Sequence, residues 1–353
     1  MLKKSIPLFL LLISISFLSF SQEDEALYSN NYIQRTNNKD SAFNSIRQKI
    51  ENINQNQVRV LHLTDNKTLN EKSIESFYNQ LITEFNTKKL SSMHWDAPLS
   101  VSSQKKTTIN LFDSKNNSNN LCQKFRIYHS KLYPNMEIIL ANSSVSYKTT
   151  YNEEGGYTTF ELKKPVRNLQ IELINNSNYH LVYFGFYIET TQNGFLFDVF
   201  ANNLSNYYFY DRDSLLKKHI STMDFDMVVL SYGATNAYTP MFNPVNFEES
   251  ILNIINTIRE IKSNVPILIT TPLDYKIASL PNKRLKSIDD ILNRIANENS
   301  CYLWDFYQIM GGMGACESWM KGNLMDKRAS QLTQRGLFLQ GKLLGEAFLD
   351  IIK

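Results

Sequence analysis

The order of strand and helix patterns along the chain restricts the fold more than any other feature of the sequence. Residues 58–63 form a β-branched and apolar run, which is typical of a parallel strand buried on both faces. A polar turn at residues 64–67 leads into residues 73–85, where apolar side chains recur at helical spacing. Strand, tight turn and helix in this order predict the opening unit of a doubly wound α/β sheet.

This pattern changes at about residue 97 and returns only after about residue 190. In between, short aromatic and β-branched runs are separated by turn residues such as those at 153–156 and 175–178, which is typical of an antiparallel β-sandwich. The runs lie at residues 125–128, 136–140, 157–162, 169–174 and 181–188.

Alternating strand and helix patterns then continue to the end of the sequence. We predict a flavodoxin-like, three-layer α/β/α domain built from residues 58–96 and 191–353, with a β-sandwich inserted at residues 97–190. Residues 22–57 form a polar segment with one predicted helix. Further strands are predicted at residues 227–230, 265–270 and 301–306, and helices at residues 41–53, 246–262, 286–297 and 333–352.

The first residues indicate export. Lys3 and Lys4 precede an apolar run at residues 6–20, and Ser19 and Ser21 supply small side chains at the usual cleavage spacing. The run is too short for a bilayer span, which needs about 20 residues. We expect residues 1–21 to be a signal peptide and the mature protein to be periplasmic or secreted, without a membrane span.

Composition and cysteine content restrict the classes of function that the chain could have. A net charge of +3 without a dense Lys/Arg block gives no support to a nucleic-acid partner. Of the three cysteines, Cys301 and Cys316 lie nearest in sequence and are candidates for a disulfide, and three buried free thiols are an equal alternative. No His/Cys spacing matches a zinc site, so we expect neither a metal nor a cofactor.

Three blocks, at residues 58–67, 226–244 and 311–348, resemble the SGNH (GDSL-type) hydrolase family. The order of the blocks and the β-region between them resemble exported, Bacteroidetes-like members with an inserted β-domain. That resemblance implies acyl ester hydrolysis by a Ser nucleophile, an Asp/His pair near the C-terminus, and an oxyanion hole made by a Gly amide and an Asn side chain.

Other residues stand at the positions of the family's catalytic and oxyanion-hole residues. Asn66 stands at the position of the nucleophile, Asn203 at that of the glycine, and Thr235 at that of the oxyanion Asn. In the last block, Arg328 and Gln331 replace the Asp and the His. A carboxamide neither forms an acyl-enzyme nor takes a proton near neutral pH, so the resemblance predicts a catalytically inactive scaffold.

Such a scaffold is expected to bind a ligand rather than convert it. An amide-rich cleft lined by Asp65, Asn66, Asn203, Asn236 and Gln331 suits hydrogen bonding to sugar hydroxyls. Here Asn236 takes the oxyanion position if the block at residues 226–244 shifts by one residue. The resemblance implies that envelope polysaccharide or peptidoglycan, or an acetyl-transfer complex, is the partner.

Two alternatives remain open at this point. One is an active carbohydrate O-acetyl esterase with a non-standard site, in which Asp65 activates a water, although a helix cap explains that Asp more simply. The other is a purely structural envelope protein whose cleft is filled by side chains.

No other residue supplies an evident base. We interpret His62 as a core imidazole and His94 and His219 as surface residues. Ser231 and Ser330 lie in the right segments, but the sequence identifies no base for either.

Overall fold

The computed structural model describes residues 28, 30–35, 41–65, 67–87, 89–95, 99–112, 121–141, 145–166, 168–189, 192–201 and 214–353. The predicted signal peptide at residues 1–21, together with Asn66 and Asn203, lies outside these ranges. Within them, no helix is both long and apolar enough to cross a bilayer.

Each predicted strand and helix is present among the described elements, and further strands and short helices lie between them. The strands are β1 (Ile33–Gln34), β2 (Gln57–Thr64), β3 (Lys89–Trp95), β4 (Leu99–Val101), β5 (Lys105–Phe112), β6 (Cys122–His129), β7 (Met136–Leu140), β8 (Tyr147–Asn152), β9 (Tyr157–Val166), β10 (Leu169–Asn175), β11 (Leu181–Glu189), β12 (Gly194–Ala201), β13 (Met227–Ser231), β14 (Ile267–Thr270), β15 (Lys276–Ile277), β16 (Leu280–Pro281) and β17 (Tyr302–Trp304). The helices are α1 (Ser41–Glu51), α2 (Glu71–Glu84), α3 (Ser214–Ile220), α4 (Ala234–Tyr238), α5 (Pro244–Ile261), α6 (Arg284–Glu298), α7 (Phe306–Met310), α8 (Ala315–Lys321) and α9 (Gln334–Ile352).

The α/β part is built on a parallel sheet with the order β17-β14-β13-β2-β12-β3, and β1 pairs antiparallel with β17 at its edge. Every residue of β13 and β14 is buried, as expected of strands covered by helices on both faces. On one face, α2 and α9 pack closely against each other. The predicted α/β fold class is confirmed.

The β-rich part contains the predicted antiparallel sandwich. One layer is the three-stranded sheet β5-β10-β7, and the other consists of β11, β6, β9 and β8. This second layer is continuous with the central sheet, because β3 pairs antiparallel with β11. A separate apolar core lies between the two layers. The domain limits at residues 97 and 190 stay a prediction.

His219 lies at the junction of the two parts, and its predicted surface position is wrong. The imidazole is buried, with ring centroids 4.7 Å from Tyr128 and 5.7 Å from Phe184. Burial, assisted by the charge of Lys218, lowers the pKa of His219 to about 3. The polar sequence around His219 belongs to a short helix that the inserted β-strands cover, which a local pattern does not indicate.

The three cysteines are buried free thiols. Of the two alternatives left open by the sequence, the three free thiols are confirmed, and Cys301 and Cys316 do not form a disulfide. Burial, the largest cause, raises the pKa of Cys122 to about 12, of Cys301 to about 11 and of Cys316 to about 12, so all three are protonated near neutral pH.

Candidate functional site

Asp65 organises the carboxyl ends of β2 and β13. Its Oδ1 accepts hydrogen bonds from the backbone amides of Lys67 and Thr68, at 3.0 and 2.7 Å. Its Oδ2 accepts from the amides of Gly233 and Thr235, at 3.1 and 2.9 Å. Four backbone donors surround one carboxylate that is 6% exposed. Asp65 thus ties two neighbouring loops together.

Gly233 and Thr68 complete this junction. Gly233 has φ +124°, a left-handed backbone that an L side chain rarely adopts, and an added Cβ would lie 2.6 Å from Ile288 Cγ2. Thr68 accepts a hydrogen bond from the amide of Ala234 at 3.1 Å, and Tyr275 donates one from its hydroxyl to the Ala234 carbonyl at 2.6 Å. The start of α4 is therefore held from both sides.

A cavity of about 390 Å³ opens beside this junction. It lies between the loop after β2, helix α4, the segment after β14 and the loop before α9, so the three family blocks meet there. Its described lining residues are Lys67, Asn70, Ala234, Tyr238, Leu273, Tyr275, Lys276, Ser330, Gln331, Leu332, Leu337 and Gln340.

Of the predicted site residues, Gln331 lines the cavity. Its side chain is exposed and makes no hydrogen bond with a described residue. Asp65, Thr235, Asn236 and Arg328 are not among the described lining residues. Thr235 and Asn236 are half-buried on α4, and Arg328 is exposed on the loop before α9. Ligand contacts of Asn66 and Asn203 stay predictions.

Ser330 has a carboxylate partner that sequence reasoning missed. Its hydroxyl donates to Asp326 Oδ2 at 2.8 Å, and its amide donates to Asp326 Oδ1 at 2.7 Å. Burial acts to raise the pKa of Asp326, but the hydrogen bonds from Ser330 and Gln331 outweigh it and lower that pKa. A carboxylate with a lowered pKa is a poor base for a serine hydroxyl. The pair shapes the loop at the cavity's edge.

Ser231 has an imidazole partner, also not predicted, but the pair is sealed inside the sheet. Ser231 Oγ lies 2.7 Å from His62 Nε2, and Thr270 donates to Ser231 Oγ at 2.8 Å. Ser231 is 0% exposed and His62 is 1% exposed, and neither lines the cavity. Burial lowers the pKa of His62 to about 3. The interpretation of His62 as a core imidazole is confirmed.

The described lining residues include no imidazole, thiol or carboxylate. Their hydroxyls belong to Ser330, bonded to Asp326, and to Tyr238 and Tyr275. Burial and the charge of Asp65 raise the pKa of Tyr275, so its phenol stays protonated near neutral pH. A residue that could deprotonate a nucleophile is thus missing from the described wall.

Sequence reasoning missed most of the wall, although one signal was present. Lys67 and Asn70 follow β2, and Tyr275 and Lys276 follow β14. Ligands of parallel sheets bind at the carboxyl ends of the strands, so polar residues just after each strand were the candidates to examine. The resemblance to the hydrolase family instead pointed to the positions of its catalytic residues.

Two further carboxylates lie near the same edge of the sheet: Asp289 on α6 and Asp305 at the N-cap of α7. Gln308 Nε2 donates to Asp289 Oδ2 at 2.8 Å, and Thr271 Oγ1 donates to Asp305 Oδ1 at 3.1 Å. Asn293 bridges them through Asp289 Oδ1 and Asp305 Oδ2, at 3.0 and 3.1 Å. Burial, followed by the negative charge of Asp305, raises the pKa of Asp289 to about 7.

Replacing Asp289 by asparagine should remove a pH dependence of stability. Because the pKa of Asp289 is raised in the folded state, folding retains a proton that the unfolded chain releases above about pH 4. The free energy of unfolding should fall as pH rises from about 4 to 7. We expect Asp289→Asn to stabilise the protein by about 1–3 kcal/mol at pH 8 and by little at pH 4.

Urea unfolding between pH 4 and 8 measures this effect. Asp290→Asn is the matched control, since Asp290 is the next residue on α6 and its side chain is 63% exposed. Equal pH profiles for wild type and Asp289→Asn would contradict the raised pKa.

Comparisons with known proteins agree with this architecture. No protein-family model matches the chain, and no curated protein matches its sequence. Solved structures do match, and one of them shares its fold with nearly the whole chain. A peptidoglycan O-acetylesterase superposes with a TM-score of 0.69 at 13% identity, over 91% of this chain and 99% of that structure.

Two other solved structures are similar to a lower degree. A family two carbohydrate esterase from Cellvibrio japonicus has a TM-score of 0.33 at 7% identity, covering 74% of this chain and 94% of its own. A putative GDSL-like lipase from Bacteroides ovatus has a TM-score of 0.28 at 11% identity, covering 72% and 84%.

Proposed function

We propose that the chain is an exported, catalytically inactive SGNH-like protein that binds cell-envelope glycan in the cavity beside Asp65. The observation that carries this proposal is the chemistry of the wall. Amide, hydroxyl, ammonium and aromatic groups face the cavity, whereas an imidazole or carboxylate is missing from its described lining. Amides and hydroxyls exchange hydrogen bonds with sugar hydroxyls, but they do not activate a nucleophile.

Two wall residues are free to make such contacts. Gln331 and the hydroxyl of Tyr238 make no hydrogen bond with a described residue, and Tyr238 is 54% exposed. An exposed tyrosine offers a flat apolar face with a polar end, which suits a sugar ring. The similarity to a peptidoglycan O-acetylesterase supports an envelope glycan as the ligand class, because its fold covers nearly the whole chain.

Removing these contacts should weaken binding. For bare and O-acetylated peptidoglycan fragments, we expect Tyr238→Ala to raise the Kd about fivefold and Gln331→Ala about 3- to 10-fold, by calorimetry. Tyr179→Ala is the matched control, since Tyr179 is 56% exposed on the β-rich part. An equal loss in the control would place binding elsewhere, and no binding by the wild type would overturn the proposal.

The alternative function is an active carbohydrate O-acetyl esterase, which the hydroxyl of Ser330 at the cavity favours. Hydrolysis of p-nitrophenyl acetate by the purified protein, with Ser330→Ala and Ser231→Ala beside it, decides between the two. We expect no turnover above background. Turnover abolished by Ser330→Ala would establish the alternative. The Asp65→Ala variant is a poor probe, because that change also breaks the loop junction.

A further inference from the structure

The charged side chains in the described lining of the cavity are ammonium groups. They belong to Lys67 and Lys276, and the described lining lacks a carboxylate. The loop that contributes Ser330 and Gln331 also carries Lys327 and Arg328, both exposed. A concave wall with charges of one sign attracts ligands of the opposite sign.

Lys67 is the group best placed to act on a ligand. It forms no ion pair with a described residue, although its backbone amide is bonded to Asp65. Its Nζ lies over the ring of Tyr238, 4.0 Å from the centroid, so the ammonium rests against one face of this aromatic ring at the cavity. A cation–π contact orients an ammonium and leaves N–H donors free for an acceptor.

The nearby described carboxylates do not pair with Lys67. Asp65 directs both oxygens to backbone amides, and Asp326 is bonded to Ser330. Glu317 pairs with Lys276 at 2.6 Å, and that hydrogen bond is the main reason why the pKa of Lys276 is raised. Lys276 therefore stays charged with its own counter-ion, and Lys67 remains without one among the described residues.

From this arrangement we infer that the cavity selects saccharides that carry a carboxylate, with Lys67 as the group that binds it. The inference rests on the proposed glycan binding and narrows its ligand to acidic sugars. The sugar ring packs on Tyr238, and the carboxylate accepts a charge-assisted hydrogen bond from Lys67 Nζ. Gln331 is available for hydroxyl groups of the same residue.

Calorimetry with matched saccharides tests the inference. The arms are a uronic acid oligosaccharide, a saccharide with a lactyl ether carboxylate, and a neutral oligosaccharide of equal length. We expect the better acidic ligand to bind at least tenfold more tightly than the neutral one at low salt, and to lose most of that advantage in Lys67→Gln. Lys67→Arg should retain part of it.

Lys72→Gln is the control, because Lys72 is exposed in the first turn of α2 and does not line the cavity. Equal affinity for acidic and neutral saccharides, unchanged by Lys67→Gln, would overturn this inference and leave the proposed glycan binding intact. Failure of every saccharide to bind would overturn both. A thermal melt of each variant confirms that folding is unchanged.

Discussion

Asp65→Asn should destabilise the protein by about 3–5 kcal/mol, although Asp65 retains a position of a catalytic block. The carboxylate accepts four backbone hydrogen bonds in a nearly buried junction. An asparagine keeps one acceptor oxygen and places an NH₂ group against the donors that met the other. Buried donors without an acceptor cost about 1–3 kcal/mol each.

Urea unfolding at neutral pH measures this loss. Asp326→Asn is the control, since Asp326 also accepts backbone hydrogen bonds but lies half-buried in a loop. It should cost about 1 kcal/mol. An unfolding midpoint for Asp65→Asn equal to that of wild type would mean that the junction does not depend on this carboxylate.

The expected result also gives Asp65 a structural role. A carboxylate that holds two loops together has this role whether or not the site is catalytic. Retention of Asp65 is thus compatible with an inactive scaffold, and its presence is no argument for catalysis. The interpretation of Asp65 as the cap of the following helix is wrong, because Asn70 caps α2. Asp65 instead accepts from amides of the loop before α2 and of the loop after β13.

The parallel core could be predicted from the sequence because its strands are buried on both faces. The apolar runs of β13 and β14 carry that signal directly. Strands β3 and β12 were not predicted from the sequence. The Lys, Ser and His residues of β3 leave neither a strand nor a helix periodicity of apolar side chains. These strands join the β-rich layer to the central sheet, so the continuity of the two was missed with them.

Contacts between distant segments explain the remaining misses at the site. The register between β2 and β13 pairs His62 with Val229, which places the imidazole close to Ser231. Nothing in either segment alone indicates that contact. Gln331 could be predicted because the Asp and His positions of the last block lie in one short segment. Lys67 and Lys276, in contrast, meet at one cavity only through the order of the strands.

The site also depends on the close contact between α2 and α9. Gln340 on α9 is buried, donates from Nε2 to the Thr68 carbonyl at 3.0 Å, and accepts from Ser73 Oγ at 2.7 Å. The next residue, Gly341, leaves room for α2 to approach. A Cβ at Gly341 would lie 2.0 Å from the Ser73 carbonyl oxygen and 2.6 Å from Ser76 Cβ.

Gly341→Ala should therefore destabilise the protein by about 2–4 kcal/mol, despite the better helix propensity of alanine. The new Cβ meets the backbone of Ser73, which cannot rotate away as a side chain can. Helices α2 and α9 must therefore separate, and Gln340 must then move away from Thr68. We expect a lower urea midpoint together with weaker glycan binding in the variant that remains folded.

Gly345→Ala, one turn later on α9, is the control for Gly341→Ala, because its new methyl group meets a side chain and not backbone. Its Cβ would lie 1.7 Å from Gln80 Oε1, at the end of a flexible side chain. That oxygen is buried without a hydrogen-bond partner among the described residues, so moving it breaks no bond. Gly345→Ala should change stability by less than about 1 kcal/mol, since the gain in helix propensity offsets the adjustment of Gln80. If both variants lost the same stability, the clash with the Ser73 backbone would not explain the destabilisation by Gly341→Ala.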